Sequence, residues 1–136
     1  MTIRPATSAD LAAIALIQAA APEASQWDPA SYLDYVCTVA EEAADVAGFL
    51  VCRRTGPDEH EILNLAVHPN HRRRGLARML LNHMLAPGRG SYFLEVRASN
   101  NSAICLYESV GFRQLGKREG YYRDPPEPAI VMQWDS

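Results

Sequence analysis

The sequence predicts an α/β protein, α+β in detail, with a mixed central sheet of about six or seven strands flanked by about four helices. Three observations predict it. An apolar run, Ile62–Val67, leads through a basic turn into an amphipathic helix and then a β-rich run, Tyr92–Arg97. Strand, helix, strand in that order implies a right-handed crossover and parallel pairing. Before it, runs separated by Thr55-Gly56-Pro57-Asp58 read as a two- or three-stranded antiparallel meander. After it, Phe112 to Trp134 reads as a β-hairpin. The 136 residues suffice for one core and are read as a single domain, 1–136, without repeats or linkers.

Ile3-Arg4-Pro5-Ala6 is a short edge strand, since proline suits an edge or a strand end. Ser8 or Thr7 caps a helix carrying Leu11, Ile14, Ala15 and Ile17, which ends in Ala19-Ala20-Ala21-Pro22. Asp28 caps a second helix with Pro29 at its first position and Tyr32, Leu33 and Val36 on one face. Trp27 either staples that entry by packing on Leu33 or Tyr32 or walls a substrate pocket. Val39-Ala40 is a short strand, Asp45–Arg53 a longer one, and Glu59–Val67 the next. Leu76, Met79, Leu80 and Met84 form the apolar face of the central helix. Pro87-Gly88-Arg89-Gly90 breaks the chain soon after it. Ser99 or Asn100 caps a third helix that Gly111 closes. In the final hairpin Arg113–Lys117 rises, Gly120–Pro126 loops, and Ala129–Trp134 returns.

Composition excludes several classes. A net charge of −3 argues against bulk nucleic-acid binding, so the arginines at 72–74 suit a small anion better than a long polyanion. Cys37, Cys52 and Cys105 lack metal-ligand spacing, so no metal is expected, and reduced thiols point to the cytoplasm. Neither a signal core nor a transmembrane-length run is present, and no membrane association is expected.

Two stretches carry chemistry. In the first, Gly75 stands at a helix start beside Arg72, Arg73, Arg74 and Arg78. A helix N-terminus offers unpaired N–H groups and partial positive charge, and glycine lets a phosphate approach the backbone. Arg72, Arg73, Arg74, Gly75, Leu76, Ala77 and Arg78 read as a pyrophosphate cradle or, on these residues alone, as a basic solvated helix start; neither a Walker loop nor a Gly-x-Gly-x-x-Gly fingerprint is present. In the second, Asn100, Ala103 or Ile104, and Tyr107 share one helix face, with an amide at one end and a phenol at the other. Spacing alone favours reading Tyr107 as a core aromatic with a wet hydroxyl. It leaves Glu95 open to being a strand charge paired with Arg97 on the same face.

Arg72-x-x-Gly75-x-Ala77 resembles the acetyl-CoA-binding motif of the GNAT N-acetyltransferase family, with alanine where many members have glycine. Asn100-x-x-Ala103-Ile104-x-Leu106-Tyr107-x-x-x-Gly111-Phe112 is similar to that family's late motif. Leu94–Asn100 with Gly120-Tyr121-Tyr122 resembles more narrowly the RimI type, which acetylates the N-terminal alanine of a small-subunit ribosomal protein. The resemblance is strong from Ile62 to Tyr122; earlier residues match in kind, through Ile3–Ala6 and the position of Trp27.

The resemblance implies a GNAT fold splayed at the acetyl-CoA site, with the pantetheine arm against the main chain of Leu65, Ala66 and Val67. It implies Leu65 N–H at the thioester oxygen, Asn100 and Tyr107 beside coenzyme A, Glu95 as general base through water, and Tyr107 as general acid to the thiolate. Partial burial within an apolar strand would raise a carboxylate's pKa and suit the base role. Trp27, Tyr121 and Tyr122 would meet the acceptor, although the two tyrosines would equally well pack as hairpin aromatics. Glu119, Asp124 or Glu127 would meet a basic substrate tail. The expected partner is a protein or peptide N-terminus and the expected state a monomer or weak homodimer. Two rivals remain: a GNAT enzyme for a small amine, and a non-catalytic acyl-CoA-binding module.

Overall fold

The structure is a computed structural model describing residues 1–22, 24–85, 90–123 and 126–136. The expected break at Pro87-Gly88-Arg89 and the tip of the expected loop, Asp124-Pro125, lie outside the described residues. The elements are β1 (Thr2–Pro5), α1 (Leu11–Ala20), β2 (Val36–Glu42), β3 (Asp45–Gly56), β4 (Glu59–Val67), α2 (Leu76–Met84), β5 (Ser91–Arg97), α3 (Asn101–Ser109), β6 (Arg113–Arg123) and β7 (Pro126–Asp135). Single 3-10 stretches cover Ser8–Asp10, Pro29–Asp34 and Pro69–His71. Hydrogen-bonded strand order is β1-β2-β3-β4-β5-β7-β6, a mixed seven-stranded sheet as expected.

The chain divides into two compact units, Met1–Arg53 with Ile62–Met84, and Arg54–Glu61 with Leu85–Ser136. In the first, β1 pairs antiparallel with β2, and β2 with β3. Its core gathers Ile14, Ile17, Ala21, Tyr32, Cys37, Val39, Phe49, Val51 and Ala66. Helix α2 packs on β1 and β2. A Cβ at Gly48 would stand 3.1 Å from the Ala66 carbonyl and 3.4 Å from Leu80, so the missing side chain lets β4 and α2 close on β3. In the second unit, β4 begins parallel to β5, pairing Glu59 with Ser91 and Glu61 with Phe93. β5 pairs antiparallel with β7, and β7 with β6.

Several elements differ from expectation. The helix read after Asp28 is a 3-10 stretch: Asp28 caps it by accepting from Ala30 N–H, but Tyr35 is already extended. Val36 therefore opens β2 and is exposed, and only Tyr32 of the expected face is buried. The short strand at Val39-Ala40 grows to seven residues. Along α2, Leu81 is buried and Met79 is 40% exposed, so the buried stripe is Leu76, Leu80, Leu81 and Met84. The expected hairpin loop from Gly120 is strand as far as Arg123, because a bulge between Arg118 and Tyr122 absorbs extra residues and Gly120 takes φ +64°.

The start of α1 is set electrostatically. Asp10 accepts from Thr7 N–H at 2.7 Å and from Arg4 through both oxygens, at 2.8 and 2.9 Å. The Arg4 guanidinium, foremost, holds the buried Asp10 carboxyl down at about 2, against an ordinary 3.8. A depressed folded-state pKa means that this stabilisation is complete above about 4 and is lost as pH falls toward 2. It is worth about 2 kcal/mol. Asp10→Asn should lower unfolding free energy at pH 6 by about that amount and flatten its fall between pH 4 and 2. Denaturant titrations at both pH values check this; an unchanged acid slope would reject the assignment.

Candidate active site

In the first unit, β4 ends at Val67, and the turn runs through Pro69–His71 to Gly75, where φ is +76°. Arg73 also takes a left-handed φ, +64°. A Cβ at Gly75 would meet nothing within 4 Å, so glycine is required there for conformation and leaves open space over the helix start. The Met79 N–H donates to the Gly75 carbonyl at 3.0 Å, so the amides of Leu76, Ala77 and Arg78 precede the first helical donor. Arg72, Arg73, Arg74 and Arg78 are exposed around this point. Arg72 Nε reaches the Val67 carbonyl at 3.5 Å.

The four arginines are not equivalent, as the sequence reading had taken them to be. Arg74 pairs with Glu42 of β2, and Glu42 also meets His71 Nδ1 at 3.1 Å. The hydrogen bond with His71, with Arg74 beside it, holds the Glu42 carboxyl below its ordinary range. Arg74 is thus tied into the turn that Glu42 braces.

A buried polar network lies behind Leu65. Asn64 Nδ2 donates to Gln18 Oε1 at 3.2 Å, to the Ser25 carbonyl at 2.9 Å and to Tyr32 Oη at 3.1 Å. Tyr32 donates to Gln18, and Gln18 Nε2 donates to the Trp27 carbonyl. Burial pushes the Tyr32 hydroxyl up. Leu65 N–H donates to Asn64 Oδ1 at 3.0 Å, so in this structure the amide expected at a thioester oxygen already has an acceptor. Ala66 is buried, whereas Leu65 and Val67 are half-buried. Trp27 is 48% exposed, held by its carbonyl rather than by its ring. The signal for this network was a lone Asn in an apolar strand and a lone Gln in an Ala-rich helix.

In the second unit, β5 alternates: Tyr92, Leu94 and Val96 are buried while Phe93, Glu95 and Arg97 line the opposite, half-covered face. Glu95 does not pair with Arg97. Its Oε1 accepts from Arg118 Nη1 at 2.7 Å, and its Oε2 is buried with no partner at hydrogen-bond geometry among the described residues. Arg97 instead donates to Glu127 at 3.0 Å and lies over the Tyr122 ring, 4.2 Å from its centroid. Glu127 also accepts from Ser99 N–H at 3.0 Å and Ser99 Oγ at 3.1 Å, which ties β7 to the turn before α3. Glu127, expected at a basic substrate tail, is therefore engaged internally.

Asn100 caps α3, its Oδ1 accepting from Ala103 N–H at 3.2 Å. Tyr107 is buried, its ring edge-on to Phe112 at 5.6 Å. Burial pushes its hydroxyl well above the ordinary tyrosine range, and Tyr122 adds to the shift. Tyr122 is pushed up to about 12, by burial first and then by Tyr121 and Glu95, with Arg97 opposing. Burial and the charge of Glu95 raise Tyr121, against Arg118. Tyr121 and Tyr122 meet edge to face at 5.0 Å. Tyr122 thus stands within electrostatic reach of both Glu95 and Tyr107. The Glu95 carboxylate and two protonated phenols, from β5, α3 and β6, influence one another electrostatically through Tyr122.

The profile of the Acetyltransferase (GNAT) family matches residues 9–112. The chain belongs to this family. N-alpha-acetyltransferase RimI of Mycobacterium tuberculosis is 42% identical over 91 residues, 66% of this chain and 58% of that protein. The [Ribosomal protein bS18]-alanine N-acetyltransferase of Escherichia coli K12 is 46% identical over 81 residues, 55% of each chain. The chain therefore matches little more than half the length of these curated relatives. The crystal structure of the ribosomal-protein-S18-alanine N-acetyltransferase from Escherichia coli superposes with a TM-score of 0.85 at 33% identity, covering 98% of this chain and 92% of that one. Within this GNAT chain, Gln18, Asn64 and Arg118 are the polar contacts that sequence reasoning missed. Among the described residues, no helix is long and apolar enough to cross a membrane.

Proposed function

We propose that the chain is an acetyl-CoA-dependent N-acetyltransferase acting on a protein N-terminal α-amine, the N-terminal alanine of a small-subunit ribosomal protein being the best candidate. Family membership and the two relatives named for this activity support it. The observation that carries it is Glu95, a half-buried strand carboxylate with one oxygen lacking a partner at hydrogen-bond geometry among the described residues, and within electrostatic reach of Tyr122, as is the protonated Tyr107. We further propose that both units work as one transferase domain.

Acetyl-CoA, when bound, supplies the acetyl thioester. The turn fits its diphosphate: the amides of Leu76, Ala77 and Arg78 open the helix, a Cβ at Gly75 would meet nothing within 4 Å, and Arg72, Arg73 and Arg78 are exposed nearby in the chain. The main chain of Leu65, Ala66 and Val67 would hold the pantetheine, and Leu65 N–H would have to exchange Asn64 Oδ1 for the thioester oxygen. Asn100 would contact coenzyme A only through the amide group that its cap leaves over. Glu95 takes a proton from the acceptor amine, directly or through water. As the N–C bond forms and the C–S bond breaks, Tyr107 would give its proton to the departing sulfur, and the second proton shed by the acylated nitrogen would restore the phenol. Trp27, Tyr121 and Tyr122 are the proposed acceptor contacts.

Amine identity follows from acidity. An α-amine has a reference pKa of about 7.7–8.0, against about 10.4 for lysine, so a carboxylate base has far less to do at an N-terminus. Coenzyme A release should be fast with an alanine-starting ribosomal peptide and slow with free amino acids, polyamines and aminoglycosides. Turnover confined to small amines would overturn the acceptor assignment; no thiol release with any amine would leave an acyl-CoA-binding module.

Gly75→Ala tests the cradle. The alanine Cβ has room, but φ +76° costs an L-residue about 1–2 kcal/mol. If the turn relaxes to a right-handed φ, the amides re-aim, so Kd for acetyl-CoA should rise roughly 10-fold, with melting changed by a few degrees at most. Unchanged affinity by calorimetry would place the diphosphate elsewhere.

A further inference from the structure

The ion pair between Arg118 and Glu95 has no role in the chemistry described so far. The two side chains are unequal: that of Arg118 is 59% exposed, that of Glu95 14%. Pairs this exposed contribute only about 0–1 kcal/mol, so stability is a poor reason for the contact.

Strand register shows how the contact arises. Across β5, β7 and β6, Glu95 lies in a row with Val131 and Gly116, and Arg97 in the next row with Ala129 and Arg118. Arg118 therefore reaches diagonally, across one strand and one row, to bond Glu95. Position 116, which would stand opposite in Glu95's own row, is a glycine with nothing within 4 Å of a Cβ, so no side chain blocks that reach. Beyond Arg118 the strand bulges: the four steps from Arg118 to Tyr122 face the two from Ala129 to Glu127. The guanidinium also stacks on Tyr121, 4.8 Å from the ring centroid. Tyr121 and the open Gly116 position thus aim Arg118 at one oxygen of the carboxylate.

We infer that Arg118 is a positioning residue for Glu95: its guanidinium fixes Oε1, so that the buried Oε2 is the oxygen left to receive the proton of the acceptor amine. A carboxylate has two chemically equivalent oxygens and rotates about its terminal bond. Holding one of them on a planar donor selects which faces the substrate, and small misplacements of a reacting group cost large factors in rate. The inference rests on the reading of Glu95 as proton acceptor.

The test is a double-mutant cycle with a chemical rescue, using the full chain, an alanine-starting peptide and acetyl-CoA. Arg118→Ala should lower kcat on the order of 10-fold, leave KM for acetyl-CoA unchanged within about 2-fold, and melt with wild type. Arg118→Lys should recover only part of the loss, because an ammonium lacks the planar fork. In the Glu95→Gln background, Arg118→Ala should cost nothing further. Guanidinium ion below denaturing concentrations should restore Arg118→Ala saturably, whereas equal sodium chloride should not. Full activity of Arg118→Ala, the same loss in both backgrounds, or no rescue would each overturn the inference. The two readings fail separately: wild-type turnover by Glu95→Gln removes the base itself, while an impaired Glu95→Gln beside a fully active Arg118→Ala removes only the positioning role.

Discussion

Glu95→Gln should lower kcat/KM for an alanine-starting peptide on the order of 10²-fold or more, with acetyl-CoA affinity unchanged. The change is close to isosteric. An amide oxygen at Oε1 still accepts from Arg118, so the side chain keeps its place. What is lost is a proton acceptor at Oε2, which is buried with no partner at hydrogen-bond geometry among the described residues. Folding should hardly change, because the ion pair given up is exposed on the arginine side.

The pH dependence of this loss separates a base from a mere contact. Deprotonation before attack is needed only while the acceptor is an ammonium. An α-amine titrates near 7.7–8.0, so above that range the substrate arrives neutral without help. The ratio of wild type to Glu95→Gln should therefore be largest near pH 6–7 and narrow above about pH 8. Steady-state coenzyme A release from pH 6 to 9 measures it. A constant ratio would make Glu95 a binding residue, and a Glu95→Gln enzyme within a factor of two of wild type would end the base assignment.

Much of this site is local in sequence and was legible there for that reason. The turn into α2 combines Gly75, a run of arginines and an apolar stripe within a dozen residues. The Asn100 cap and the Gly111 closure bracket α3 in the same way. What escaped depends on pairing between segments. The alternative to a base role for Glu95 is a pair with Arg97, because strand alternation puts them on one face. They do share it, but the register brings Arg118 and Glu127 alongside, and each takes one member of the expected pair. The turn between β2 and β3 was equally hidden: it is Ala43-Ala44, both in left-handed conformations at φ 54° and 70°, without the Asn-Gly that marks such turns. The tyrosines at 121 and 122 were placed in a loop because Gly120 and the prolines look like loop residues. A bulge lets them stay in a strand instead, with Tyr122 within electrostatic reach of both proposed catalytic groups.

Gly90→Ala should be the most destabilising small substitution in the second unit. Gly90 has φ +95°, where an alanine is strained by about 1–3 kcal/mol. Its added Cβ would lie 2.1 Å from the Asp58 carbonyl oxygen and 2.7 Å from the Asp58 carbonyl carbon, both rigid main chain. Relieving that clash costs roughly another 1–3 kcal/mol. It would also pull on the bonds that start β5, in which Ser91 N–H donates to the Asp58 carbonyl at 2.9 Å and Ser136 N–H to the Gly90 carbonyl at 3.1 Å. Domains of this size are stable by about 5–15 kcal/mol, so the loss is a large share, and the melting temperature should drop on the order of 10 °C or more. Gly116→Ala is the control, with ordinary φ and nothing within 4 Å of its Cβ, and should melt within a few degrees of wild type. The same pair of variants separates stability from chemistry. Gly90→Ala assayed well below its melting temperature should still turn over, because Glu95 lies five residues further along β5 and keeps its pairing with Val131 of β7. A Gly90→Ala protein that melts with wild type would mean that β5 can begin without the close passage of Gly90 over Asp58.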